Sequence, residues 1–152
     1  SRLKVCLNKV GLGKLSYLGI ALCRLLGDKT VEAEICLDDG NPQVYKKMYF
    51  TAIMNHPYEG GGFYFCPKAD IGDGYLDVMV AHSLPKWKIL LLLPTAFKGK
   101  HVRYKGIDII RCKEITVRVK TKQPIHTDGE PVGIAGEIRV KLLPEQVRVL
   151  AP

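Results

Sequence analysis

Gly60-Gly-Gly-Phe-Tyr-Phe-Cys66-Pro-Lys-Ala-Asp70-Ile-Gly-Asp73-Gly-Tyr75-Leu-Asp77-Val-Met-Val-Ala-His82 is the stretch on which the reading of this chain turns. It falls into three parts. The glycines Gly60, Gly61 and Gly62 let the backbone take positive φ and let other groups approach it closely. Pro67 to Gly74 reads as a loop that carries Asp70 and Asp73 and ends in Asp-Gly, a strong turn signal. Tyr75 to His82 alternates, with Leu76, Val78 and Val80 on one side and Asp77 and Met79 on the other, which predicts a half-buried strand. An acidic turn feeding a rigid strand suits a hard cation, because carboxylates and carbonyls are the natural ligands of Mg²⁺ and Ca²⁺. An ordinary turn with solvated acids has the same pattern, and the spacing does not separate the two.

Downstream of this stretch, Ser83 is placed to cap a helix, with Pro85 in its first turn. Trp87, Ile89 to Leu93, Ala96 and Phe97 are apolar on several faces, Lys98-Gly99-Lys100 ends the segment, and Pro94 should kink or break it. Such a helix is either buried against a sheet or lies at a lipid interface, where Trp and Lys flanks are at home. From Gly106 the pattern is β. Ile115, Val117 and Val119 alternate with polar residues, Gln123 to His126 leads into the Asp128-Gly129 turn, Ile138, Val140 and Leu142 make a further strand, and Val147 to Leu150 closes the chain.

Upstream, Val31 to Leu37 alternates, Asp38 to Pro42 is a turn, and Val44 to Asn55 returns, which predicts an antiparallel hairpin. Asp38 and Asp39 read as its tip, not as a calcium loop, for lack of further ligands nearby. Gly13 to Leu26 places Leu15, Leu18, Leu22, Leu25 and Leu26 at helical spacing, with Gly27-Asp28 as the stop. Ser1 to Val10 has no clean start signal and reads as a cut. Short strands with turn signals at regular intervals predict a mainly β chain, an antiparallel β-sandwich decorated by two helices.

The 152 residues make one domain, and 47% apolar with 25% charged residues is ordinary for a globular protein. The cysteines Cys6, Cys23, Cys36, Cys66 and Cys112 are odd in number and never in Cys-x-x-Cys spacing, which argues against zinc and a disulfide framework and for reduced thiols in a cytoplasm. The longest apolar run, Ile89 to Leu93, is far shorter than the ~20 residues a membrane span needs. A net charge of +8 fits an anionic membrane surface or a phosphorylated substrate. Nucleic acid is a poorer fit, because no stacking platform or groove-reading motif accompanies the charge.

Gly60-Gly61-Gly62-Phe63, Pro67-x-Ala69-Asp70 and Asp73-Gly74-x-Leu76-Asp77-Val78 together resemble the signature of the diacylglycerol kinase catalytic family, in particular its soluble bacterial lipid kinases. His126-Thr127-Asp128-Gly129-Glu130-Pro131 is a second match. Leu93-Pro94, Lys98-Gly99-Lys100-His101 and Cys112-Lys113-Glu114 stand between them in the family's order, and the similarity runs from about Leu12 to Leu150.

The resemblance implies that residues 1–152 are the C-terminal β-sandwich domain of a lipid kinase, the second domain of the NAD kinase/diacylglycerol kinase-like fold. The N-terminal nucleotide-binding domain, with its Gly-Gly-Asp-Gly-Thr loop, has no counterpart in this sequence. ATP as co-substrate would be bound mainly there, and this chain alone should be inactive. The family's motif makes Glu130 the base that accepts the hydroxyl proton. It puts a Mg²⁺ on the carboxylate of Asp73 and the backbone carbonyls of Asp70 and Tyr75. Gly72 stands where some relatives carry an acid, which removes one charge without touching those ligands. Asp77 matches the motif without an assigned role, and His126 could orient Glu130. The implied acceptor is a diacylglycerol-like membrane lipid, and the implied location is cytoplasmic, peripheral at the membrane. A sphingoid-base kinase and a non-catalytic, basic membrane-binding sandwich remain as alternatives, phosphorylation of NAD is a weaker one, and an exposed sheet edge could pair two chains into a homodimer.

Overall fold

Alternation on both sides of the Asp38–Pro42 turn gives the expected hairpin: β1 (Val31–Leu37) and β2 (Gln43–Met54) pair antiparallel, with Ala33 opposite Tyr45. The structure is a computed structural model, and it describes residues 27, 29–59, 62–127 and 130–143. The helix expected over Gly13 to Leu26 and the closing strand Val147 to Leu150 lie outside the described residues. After the hairpin come β3 (Leu76–His82), helix α1 (Lys86–Ala96), a 3₁₀ turn (Lys100–Arg103), β4 (Ile107–Cys112), β5 (Glu114–Thr127) and β6 (Glu130–Lys141). All neighbouring strands are antiparallel, in the order β4-β3-β2-β1-β5-β6.

This one sheet becomes sandwich-like by curling over itself. β4 is an edge strand and β5 lies next to the opposite edge, yet only Lys113 separates them in the chain. The chain turns a corner there, and the β3–β4 half packs over the β1–β5 half. Ile35, Val78, Val80, Cys112, Ile115 and Val117 fill the space between. Asp38, in the left-handed region at φ 48°, pins the corner: its Oδ1 accepts from the Lys113 and Glu114 amides at 2.8 and 2.9 Å, and its own amide donates to the Glu114 carbonyl. The sequence reading of Asp38 as a plain turn tip misses this, because the partner lies far along the chain.

Three local expectations are corrected. β3 is not half-buried: Leu76, Val78 and Val80 face the main core, while Asp77 and Met79 are also enclosed, with Met79 beneath Cys66 and Ala69 of the preceding loop. That loop covers the second face, which strand periodicity alone cannot foresee. Ser83 does not cap the helix; it sits at φ 53° with its Oγ 3.2 Å from His82 Nδ1, and Pro85 precedes α1 without a side-chain cap. Pro94 does not break the helix, which runs on to Ala96, because a proline this near the C-terminus removes only a last-turn bond. Ile89 and Leu92 pack with Leu84, Tyr49 and Ile107, and Leu93 and Ala96 pack with Phe63. Among the described residues no helix is long and apolar enough to cross a membrane.

Candidate active site

Two constructions carry the residues singled out from the sequence. The first is the turn from Asp70 to Tyr75, which two aspartates close from within. Asp70 Oδ1 accepts from the Gly72 amide at 2.9 Å, Asp73 Oδ1 accepts from the Tyr75 amide at 3.0 Å, and the Asp73 amide donates to the Asp70 carbonyl at 3.3 Å. Short aspartate side chains favour such bonds to backbone amides two residues on. Gly74 follows at φ 76°, a conformation open to glycine.

Arg111 ties this turn to the sheet. Its guanidinium donates to Asp73 Oδ2, lies 4.7 Å from the centre of the Tyr75 ring, and puts Nε 3.8 Å from Asp77 Oδ2. Lys113 Nζ lies 5.6 Å from the same ring. Arg111 and Asp77 are direct cross-strand partners on β4 and β3. Asp77 is the unusual member, 1% exposed and with neither carboxylate oxygen accepting a hydrogen bond among the described residues. Burial pushes its pKa upward; Arg111 opposes this and the nearby Asp73 adds to it. Cys66 Sγ donates to the Asp77 backbone carbonyl at 3.6 Å, and burial followed by the Asp77 charge lifts that thiol to about 12.

The second construction is the end of the β5–β6 hairpin. β1 pairs with β5 only as far as Val119, so the outer part of β5 has β6 as its partner and projects as a ribbon. Thr127 pairs with Glu130 at its end, His126 pairs with Pro131, and residues 128–129 lie outside the described set. Glu130 is exposed, and its carboxylate meets no partner among the described residues. His126 does not reach Glu130; its Nε2 lies 3.7 Å from Glu59 Oε1, the acid just before the three glycines. That contact links the β5 end of the hairpin to Glu59.

The structure therefore gathers Asp70, Asp73 and Tyr75 in one turn and places Glu130 on a separate ribbon. Arg111 and Glu59 escaped the sequence reading. Arg111 had a signal, a lone cation within the apolar run Ile109-Ile110-Arg111-Cys112, and Glu59 had only its place before Gly60. The donors of the turn are of the hard-cation type, the Asp73 carboxylate with the Asp70 and Tyr75 main-chain carbonyls and no thiol or imidazole. Both Asp73 oxygens and the Asp70 carbonyl already accept hydrogen bonds. No group of three or more His, Cys, Asp or Glu side chains converges on a metal position among the described residues. A cation here would depend on the carbonyls and on water, as Mg²⁺ commonly does.

Residues 4–151 match the family described as the YegS C-terminal NAD kinase beta sandwich-like domain. The chain belongs to this family. A diacylglycerol kinase of Mycobacterium tuberculosis (strain H37Rv) is 29% identical over 140 residues, 92% of this chain and 44% of its own length. YtlR of Bacillus subtilis (strain 168), provisionally named a lipid kinase, is 29% identical over 114 residues, 75% of this chain and 37% of its own length. A solved structure from Bacillus anthracis str. Sterne, described provisionally as a diacylglycerol kinase, shares the fold with a TM-score of 0.66 at 22% identity, over 90% of this chain and 46% of that one. This YegS-type domain thus spans less than half the length of these relatives.

Proposed function

We infer that this YegS-type domain is the acceptor side of an ATP-dependent lipid kinase whose nucleotide-binding half belongs to a longer parent chain. The supporting observation is the hairpin end, where Glu130 stands exposed on a ribbon tied through His126 and Glu59 to the loop before the glycines. In the reaction, a lipid hydroxyl oxygen bonds to the γ-phosphorus of ATP as the bond to the bridging β–γ oxygen breaks and ADP departs. Glu130 takes the hydroxyl proton. Such help from a positioned base is typically worth about 10²–10⁴ in rate, and the rest is positioning and charge stabilisation. The Glu59–His126 contact links this ribbon to the segment that precedes the glycines.

Asp73, with the Asp70 and Tyr75 carbonyls, would hold Mg²⁺. The bound ion would brace the turn and offset the negative charge of Asp73 and Asp77. Arg111 already balances part of that charge and keeps Asp73 facing the sheet. The acceptor is a diacylglycerol-like lipid, in line with the named activity of the mycobacterial relative.

The test is labelled phosphate transfer from Mg-ATP to a lipid panel by the parent chain, wild type beside Glu130→Gln. Transfer to diacylglycerol that falls by about 10²–10⁴ in kcat, with KM little changed, supports the assignment. Transfer to a sphingoid base instead keeps Glu130 as the base and changes the acceptor. A Glu130→Gln variant as active as wild type refutes the assignment.

A further inference from the structure

Helix α1 has two apolar faces, and the sheet uses one. Ile89, Leu92, Leu93 and Ala96 are buried beneath it. Trp87 and Leu91, one turn apart on the other side, are 63% and 66% exposed, and Pro94, exposed too, continues the stripe. Large apolar side chains displayed together mark a contact surface.

The charge around the stripe indicates its partner. From Ser83 to Gly106 the sequence holds Lys86, Lys88, Lys98, Lys100, Arg103 and Lys105 and no Asp or Glu. Lys86 and Lys88 stand in the first turn of α1, at the positive end of the helix dipole, where cations weaken a helix. The stability of α1 therefore does not explain Lys88. The 3₁₀ turn that carries Lys100 and Arg103 packs beside α1. An indole and a leucine rimmed by lysines match the boundary between lipid headgroups and acyl chains. A cationic field spread over this whole segment suits an extended anionic plane better than one protein groove.

We propose that the Trp87–Leu91 face of α1 is the surface on which the protein lies against an anionic lipid bilayer, with those two side chains entering the headgroup boundary and the surrounding lysines meeting lipid phosphates. The proposal rests on the reading of the acceptor as a membrane lipid, and it gives that reading a docking face.

Trp87 is the chain's one tryptophan, so its emission reports on this face directly. The chain is mixed with phosphatidylcholine vesicles, with and without phosphatidylglycerol, and followed by fluorescence and co-sedimentation. The expected result is a blue shift and sedimentation with the anionic vesicles, both reversed by salt. Leu91→Asp should reduce partitioning at least about tenfold, and Lys98→Gln with Lys100→Gln roughly thirtyfold. Thermal melting of these variants should match wild type, since Leu91 is exposed. No blue shift with phosphatidylglycerol vesicles overturns the proposal, as does binding indifferent to Leu91→Asp. Protection of Trp87 from acrylamide in a lipid-free dimer also overturns it and assigns the face to a second copy.

A short-chain, water-soluble diacylglycerol separates this proposal from the kinase reading. If the parent phosphorylates it and Leu91→Asp leaves that rate unchanged while abolishing activity on vesicles, both stand. Phosphorylation without vesicle binding overturns the docking face alone, whereas vesicle binding without phosphorylation overturns the kinase reading alone.

Discussion

Replacing Arg111 with methionine should destabilise the protein in a pH-dependent way, because Arg111 is the cation nearest the buried Asp77 carboxylate. Three contributions are lost. The contact with Asp73 is half-exposed on the arginine side and is worth about 0–1 kcal/mol. The stack on Tyr75 adds about 0.5–1 kcal/mol. The largest is the uncompensated Asp77 charge, since breaking a buried pair commonly costs about 3–5 kcal/mol. Proton uptake limits that last figure. Starting from the ordinary value of 3.8, neutralising Asp77 costs about 4 kcal/mol at pH 7 and about 1.6 kcal/mol at pH 5, at ~1.36 kcal/mol per pH unit. The sign follows from burial: a raised carboxyl pKa means that the folded state gains protons, so stability is fullest at low pH and is lost as pH rises through the folded pKa. A loss of about 4 kcal/mol at pH 7 corresponds to roughly 8–16 °C in Tm for a chain of this size. The assay is thermal unfolding of wild type, Arg111→Met, Asp77→Asn and the double variant at pH 5 and pH 7. The deficit of Arg111→Met should shrink at pH 5, and Asp77→Asn should restore more than half of it at pH 7. A deficit equal at both pH values, or untouched by Asp77→Asn, would refute the reasoning.

Gly106 lies at φ 98°, and an added Cβ would stand 2.7 Å from the His82 carbonyl oxygen and from Leu84 Cγ. Gly106→Ala should therefore lower stability by about 1–3 kcal/mol, read as a shift of the urea midpoint. Burial raises the Cys66 thiol to about 12 and the Cys112 thiol to about 11, so iodoacetamide at pH 8 should label both only after unfolding, as peptide mass spectrometry would show. If Mg²⁺ binds the Asp70–Tyr75 turn, millimolar Mg²⁺ should raise the Tm of wild type by a few degrees and leave Asp73→Asn unmoved. An equal rise in both proteins would place the ion elsewhere.

Much of the local structure was legible because it depends on near neighbours. Alternation in Val31 to Leu37 and around Ile115 to Val119 marks strands whichever partner they find, since side chains on a strand must take opposite faces. The Asp-Gly motif at Asp73 announces its turn for an equally local reason. The same locality explains the errors. Periodicity reported one buried face of β3 and could not report a loop folded over the other. Ser83 had the chemistry of a cap, but its backbone was committed by the bond from its amide to Lys47 of β2. For α1, the sequence posed burial and lipid contact as alternatives, whereas the structure buries one face and exposes the other.

The family, the strand-rich class and the two signatures are legible in the sequence, because each is written in short runs whose meaning depends on residue type and spacing. Which charges meet is set by the folded chain. Asp38 holds the Lys113 corner, Arg111 bridges Asp73 and Asp77, and His126 meets Glu59. The physical reason is that a carboxylate's partner is set by distance in space, and curling one sheet over itself brings together residues that the chain keeps far apart.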